Sequence, residues 1–144
     1  MFTQTKILRK ERLTSFLERL FQDRIVFAPV RKGEVILIRE IDSPSQVVLE
    51  YPNTKESPKS VFFPQRETLF RYRAEKGKAE VDVPQDRERG RVLFGIRPCD
   101  ARGLLLLDKV FGGDCRDPYY ADKRAGTVVV SLGCDNPNPS CFCL

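Results

Sequence analysis

The residues of this chain with the greatest capacity for chemistry are its five cysteines. Four of them are candidates for a single site: Cys99, Cys134, Cys141 and Cys143. The chain contains no histidine, which excludes Ser-His-Asp and Cys-His catalysis and every zinc site that uses imidazole. A metal site must therefore rest on thiolates and carboxylates, and thiolates favour zinc, copper(I) or iron–sulfur clusters.

The setting of the protein decides how its cysteines are interpreted. No apolar run approaches the ~20 residues that a membrane helix needs, and the first residues lack the apolar core of a signal peptide. We therefore predict a cytoplasmic protein. In a reducing cytosol, clustered cysteines are more often metal ligands or redox groups than structural disulfides. Their odd number also excludes complete pairing within the chain.

Composition and charge indicate a globular domain without a nucleic-acid partner. The chain has 144 residues, of which 41% are hydrophobic and 31% charged, and this balance is typical of a single domain with its own core. The net charge is +5, but both signs alternate along the chain, as in residues 86–89. Alternating charges indicate a solvated face rather than a basic stripe for nucleic acid.

The first half of the sequence predicts a helix followed by short extended segments. Leu13, Phe16, Leu17 and Leu20 recur at helical spacing and predict a helix over residues 8–21. Residues 25–30 and 35–38 predict a β-hairpin, and residues 46–49 a weaker third strand. A loop over 51–59 is expected next, then an extended arm that is broken by Pro64 and followed by a strand or a helical turn, and then a polar surface hairpin within 74–89.

The last third predicts a strand, a helix and a second strand. Residues 91–96 and 127–132 each contain an apolar run, at 92–96 and 128–130, as buried strands do. Residues 100–111 between them have helical character, with Asp100 as the expected cap and Gly112 near the end. Such a βαβ unit has parallel strands. The predicted fold class is therefore α/β, with α+β as the alternative.

This topology predicts where the cysteines lie. Cys99 follows the first of these strands by three residues and Cys134 follows the second by two. Parallel strands end at the same edge of a sheet, where open α/β sheets place their ligands. The proline-rich loop that follows could bring Cys141 and Cys143 back toward Cys134. Four thiolates are the usual ligand count of a [4Fe–4S] cluster.

The spacing alone leaves other interpretations open. It matches neither the cysteine run of bacterial ferredoxins nor paired zinc knuckles. A structural zinc module serving as an interaction domain is one alternative, since four cysteines suit zinc equally well. A thiol-based redox enzyme using Cys141 and Cys143 is another. Cys115 is interpreted as a thiol outside the site, although it could replace Cys99 as the fourth ligand.

Four motifs in a fixed order resemble one known family. Over residues 57–144 the chain resembles the beta subunit of cytoplasmic sulfhydrogenases and the iron–sulfur subunit of anaerobic sulfite reductase. The first 50 residues match only in general character. The matching segments are FFPQRETLF at 62–70, FGIRPCDAR at 94–102, DPYY at 117–120 and CDNPNPSCFC at 134–143.

The resemblance implies an electron-transfer subunit rather than a catalytic one. Members relay electrons through iron–sulfur clusters between a flavin- and nicotinamide-binding partner, which would hold FAD and NAD(P), and a catalytic metal subunit. The four cysteines would here bind a [4Fe–4S] cluster, and no residue is expected to act as catalytic acid, base or nucleophile. Arg97, Asp100 and Arg102 flank the first thiol and either adjust the cluster potential or serve as ordinary caps and ion pairs.

Family members continue beyond this point with two ferredoxin-type cysteine runs. We therefore expect the chain to be the front part of a longer protein and a single domain. Within it, residues 1–56 would form the N-terminal helix and hairpin, and residues 57–144 the part that contains the motifs and the cysteine site.

Overall fold

The chain folds around one mixed β-sheet with helices on both faces. The computed structural model describes residues 8–83, 90–114, 116–135, 137–139 and 141. This architecture confirms the predicted α/β class. The elements are α1 (Leu13–Asp23), β1 (Arg24–Lys32), β2 (Val35–Ile41), β3 (Arg71–Glu75), β4 (Lys78–Asp82), β5 (Gly90–Ile96), α2 (Pro98–Phe111), α3 (Pro118–Ala125) and β6 (Thr127–Ser131).

The main sheet has the strand order β2-β1-β5-β6. Strands β1 and β2 form the predicted antiparallel hairpin, which turns at Gly33 with φ +60. Strand β1 then pairs in parallel with β5, and β5 in parallel with β6. The predicted βαβ unit is therefore confirmed, and its crossover contains α3 in addition to α2. The prediction lacked α3, which is a short helix that Asp117 caps through the N–H groups of Tyr119 and Tyr120.

Alternate residues of the central strands point to opposite faces of the sheet, as the pleat requires. On one face, Val92 and Phe94 of β5 pack with Leu17 of α1. On the other face, Leu93 and Ile96 pack with residues of α2 and α3. The sheet is thus buried on both sides, which explains why the sequence of β5 is a continuous apolar run.

A β-bulge at Gly95 interrupts the alternation in β5. Phe94 is opposite Val130, whereas Ile96 is opposite Ser131, so Gly95 is the additional residue. Gly95 has φ +74, a conformation that side chains rarely adopt. The bulge turns Ile96 to the same face as Leu93, where it is completely buried. It therefore sets the direction in which the chain leaves the sheet and enters α2.

The FFPQRETLF motif packs against α2 and α3. The Phe63 ring stacks on Tyr120 at 5.1 Å between centroids, and it contacts Phe111 at 5.0 Å. Glu67 forms an ion pair with the buried Lys123 of α3. The Tyr119 hydroxyl donates to the Leu69 carbonyl at 3.0 Å.

Several predicted boundaries were wrong. Helix α1 begins at Leu13, after a 3-10 turn over Lys10–Arg12, rather than at residue 8. Helix α2 begins at Pro98, so Asp100 lies in its first turn and is not the cap. Residues 47–49 form no strand. The turn Pro44–Gln46, closed by a capping box from Ser43, ends before them, and Val48 makes one backbone bond, to the Pro29 carbonyl.

Strands β3 and β4 form a two-stranded hairpin with an exposed apolar face. Tyr72 is directly opposite Val81, and Ala74 is opposite Ala79. All residues of both strands are exposed, and Tyr72 is 73% accessible to solvent. The predicted surface hairpin thus begins at Arg71, while residues 84–89 lie outside the described part of the chain. Among the described helices, none is both long and apolar enough to cross a membrane.

Two glycines provide a test of the bulge. We expect Gly95→Ala to lower the free energy of unfolding by about 1–3 kcal/mol, because a Cβ is strained at this φ and would lie 3.4 Å from the Pro29 ring. Gly103 in α2 has open space around it. Gly103→Ala should therefore stabilise the protein by about 0.5–1 kcal/mol. Urea unfolding of both variants measures the two effects, and equal effects would contradict a required positive φ at Gly95.

Candidate metal centre

Cys99 lies at the start of α2, directly beyond the carboxyl end of β5. Arg97 is the N-cap residue, with extended backbone, and Pro98 occupies the first turn, where its missing N–H costs nothing. Cys99 is exposed to solvent. It is therefore held by a helix rather than by a loop after the strand, and its backbone position is fixed by the packing of α2.

The segment that contains Cys134 is joined to the same end of β5. Ile96 is opposite Ser131 in the parallel pair, so Cys99 and Cys134 each follow these paired residues by three positions. The Ile96 carbonyl accepts hydrogen bonds from the Leu132 N–H at 2.8 Å and from the Ser131 hydroxyl at 3.2 Å. The two chain segments thus leave the sheet side by side at its carboxyl edge.

A tyrosine and an arginine connect these two segments close to the cysteines in the sequence. The Tyr51 hydroxyl donates to the Gly95 carbonyl at 2.6 Å. The Arg97 guanidinium lies over the Tyr51 ring at 4.3 Å from the centroid and donates to the Gly133 carbonyl at 3.0 Å. Both side chains are buried. We refer to these two residues as the Tyr51–Arg97 pair.

The electrostatics of Tyr51 report which charges lie near it. Burial raises the pKa of the Tyr51 phenol to about 12, the Arg97 charge lowers it, and Asp100, Cys99 and Cys134 each raise it further. Both thiols are therefore within electrostatic reach of the same phenol. Burial also raises the pKa of Asp100, and the nearby Lys59 opposes this shift.

The remaining cysteines are described only in part. The Cys141 N–H donates to the Asn138 carbonyl at 2.9 Å, which closes a turn in the expected reversing loop, and Cys141 is exposed. Cys115 and Cys143 lie outside the described residues. Among the residues that the structure describes, no group of three or more Cys, Asp or Glu side chains is close enough to hold a metal ion.

The available donors fit a thiolate-ligated metal in type. Cys99 and Cys134 occupy neighbouring segments at one sheet edge, and Cys141 follows within the same C-terminal loop. Thiolates without imidazole suit an iron–sulfur cluster or zinc. The described residues bring two of the four predicted cysteine positions to one edge, while the assembly of all four depends on the loop that contains Cys141 and Cys143.

Comparison with known proteins identifies one relative. The chain is 33% identical over 136 residues to a protein named sulfhydrogenase 2 subunit beta, from Pyrococcus furiosus. The chain is thus a sequence relative of the sulfhydrogenase beta subunits. This confirms the predicted resemblance to the sulfhydrogenase beta subunit, and the match extends over 94% of the chain, including the N-terminal part that the motifs did not cover.

The match covers a smaller share of the relative than of this chain. The chain spans 39% of the length of this sulfhydrogenase beta subunit. No family model matches the chain, and no solved structure matches it.

Sequence reasoning missed Tyr51, and it identified Arg97 only as a neighbour of Cys99. Tyr51 precedes a proline in an irregular segment and has no local feature that indicates burial. Its partner Gly95 is 44 residues away in the sequence. Gly95 itself did provide a signal, because a glycine inside an apolar strand indicates a bulge or a close backbone approach.

The raised pKa of Tyr51 predicts a loss of stability at alkaline pH. The unfolded phenol ionises near pH 10, whereas the folded one stays protonated to about 12. Between these values the folded state binds more protons, so Tyr51 alone should lower the free energy of unfolding by about 1.4 kcal/mol per pH unit as pH rises. Tyr51→Phe should reduce this slope, measured by urea unfolding from neutral to alkaline pH.

A residual slope is expected in the Tyr51→Phe variant, because burial and the hydrogen bond to Asp108 also raise the pKa of Tyr120. Tyr72→Phe, which removes an exposed phenol from the hairpin, is the matched control. An identical pH dependence for the wild-type protein and Tyr51→Phe would contradict a buried, protonated Tyr51.

Proposed function

We propose that this chain is part of an electron-transfer subunit of an oxidoreductase complex, in which Cys99, Cys134, Cys141 and Cys143 bind a [4Fe–4S] cluster. The observation that supports the proposal most is the hydrogen-bonded junction of the two cysteine-bearing segments at the carboxyl edge of β5 and β6. The relationship to a sulfhydrogenase beta subunit supports a role in hydrogenase-type electron transfer.

A bound cluster would supply a one-electron carrier. The protein's own contribution begins with α2 and β6, which hold the segments of Cys99 and Cys134. The loop after Cys134 would complete the ligand set on binding. Metal binding and local folding are thermodynamically linked, so we expect the thiolates of Cys141 and Cys143 to be drawn in as the cluster forms.

The proposal includes partner subunits, a flavin- and nicotinamide-binding one and a catalytic metal-containing one, in a cytoplasmic complex. Its relative is named as a subunit. The exposed Tyr72 and Val81 side chains, which lie opposite each other on the β3–β4 hairpin, would offer an apolar contact for such a partner. Whether the terminal chemistry is of the hydrogenase or the sulfite reductase type would then depend on the catalytic partner.

A structural zinc site is the second candidate, and the thiolate-only donor set favours it equally on chemistry alone. The two candidates differ in colour. An iron–sulfur protein purified without oxygen is brown with broad visible absorbance, whereas a zinc protein is colourless. A metal-free protein whose activity is abolished by alkylation of Cys141 and Cys143 would instead support a thiol redox enzyme.

The decisive experiment replaces the proposed ligands one at a time in the natural full-length protein. Cys99→Ser, Cys134→Ser, Cys141→Ser and Cys143→Ser should each remove or convert one cluster, because four thiolates are the usual ligand set. Iron and sulfide analysis after anaerobic purification measures the loss, and electron paramagnetic resonance of the reduced protein identifies the missing signal.

Cys115→Ser is the matched control and should retain the full iron content. Signals from any other clusters should persist in every variant. If all four replacements leave the iron content and the spectrum of the wild-type protein, these cysteines are not the ligands. If Cys115→Ser loses the signal and Cys99→Ser retains it, Cys115 rather than Cys99 is the fourth ligand.

A further inference from the structure

We infer that Arg97 is the positioning residue of this metal centre and holds the Cys134-bearing segment against the start of α2. Its buried positive charge also offsets the negative charge of the thiolates. The charge role of Arg97 rests on the proposed function, because it requires the metal. The positioning role rests on the geometry of Arg97 alone. Arg97 touches none of the reacting atoms and would act through the two segments that it connects.

The contacts of Arg97 cross from one cysteine-bearing segment to the other. Its backbone is the N-cap of α2, two residues before Cys99, while its side chain donates to the carbonyl of Gly133, the residue directly before Cys134. Stacking on the Tyr51 ring at 4.3 Å fixes the plane of the guanidinium. Tyr51 is in turn bonded to the Gly95 carbonyl within the bulge. Beyond the backbone bond from Leu132 to Ile96, the Arg97 side chain thereby adds a second connection between the two segments.

Arg97 is buried with one of its donor groups unsatisfied. Arg97 is 9% exposed, and arginine is rarely buried to this extent without an ion-pair partner. Within the described part of the chain, its Nε has no hydrogen-bond acceptor. A buried, unsatisfied donor is costly. A thiolate-ligated cluster in the adjacent segments would supply negative charge for this cation and lower that cost.

Arg97 is distinguished from the other charged residues near Cys99 by its burial. Arg102 lies in α2 and is exposed, so solvent screens its charge. Asp100 has the opposite sign and a pKa raised by burial. Of these three residues, only Arg97 combines a buried positive charge with a direct bond to the Cys134 segment.

The test uses the natural full-length protein and separates position from charge. Arg97→Lys keeps the charge but loses the planar fork that both stacks and donates, whereas Arg97→Gln loses both. Arg19→Gln, which removes an exposed arginine from α1, is the control for the change in net charge. Hydrogen exchange of the metal-free proteins reports on the segment after β6, where the Leu132 N–H donates to the Ile96 carbonyl.

In the metal-free protein, we expect both Arg97 variants to exchange faster in this segment, and Arg19→Gln to match the wild type. In the cluster-loaded protein, iron loss to a chelator should be about 10–100-fold faster in Arg97→Gln, the range typical of residues that support metal ligands. Its reduction potential should fall, because the more negative reduced state loses a nearby cation. Arg97→Lys should retain a potential near that of the wild type.

Unchanged exchange in both Arg97 variants would overturn the positioning role. An unchanged potential in Arg97→Gln, measured on the signal that Cys99→Ser removes, would overturn the charge role. If Arg97→Gln does not fold, Tyr51→Leu removes the stacking surface while keeping the charge, and it should reproduce the faster exchange. A wild-type protein without a cluster would refute the proposed function, while the exchange comparison would still decide the positioning role.

Discussion

The parallel pairing of β5 with β6, including the shift at Gly95, is the constraint on which the rest of this structure depends. Side chains alternate with a period of two, so a slip of one residue would exchange the buried faces of a strand. The bulge makes such an exchange once, between Phe94 and Ile96, and at the end of the strand. Phe94 can therefore pack against α1 and Ile96 against α2 before the chain turns toward Cys99.

The parts of the fold that sequence could predict are those with a local signal. Apolar runs bounded by glycine or proline indicate strands, and two such runs separated by a helix imply a parallel crossover. The edge placement of Cys99 and Cys134 follows from that topology, without any knowledge of side-chain contacts. The turn at Gly33 and the surface hairpin were predictable for the same reason, because turn residues act over a few positions.

The parts that sequence could not predict depend on contacts between distant residues. The buried Tyr51 donates to the Gly95 carbonyl and stacks with the Arg97 guanidinium, and both residues are distant from it in the sequence. Residues 47–49 are apolar and favour a strand, but within the described part of the chain β1 makes a single backbone bond with them, from the Val48 N–H to the Pro29 carbonyl. Helix α3 has few apolar residues and therefore no clear helical periodicity. Asp117 as a possible N-cap before Pro118 was the sequence feature that could have predicted it.

The position of Cys99 is also set from the far end of α2, and this gives the four motifs a common physical reason. A helix of 14 residues spans about 20 Å, and at its C-terminal end Phe111 packs into the aromatic cluster of Phe63 and Tyr120. The FFPQRETLF and DPYY segments therefore pack against the far end of α2. At the near end, the FGIRPCDAR segment contains Arg97, and the CDNPNPSCFC segment directly follows Gly133, whose carbonyl accepts from Arg97. Helix α2 thus connects the aromatic cluster at one end with Cys99 and the proposed metal centre at the other.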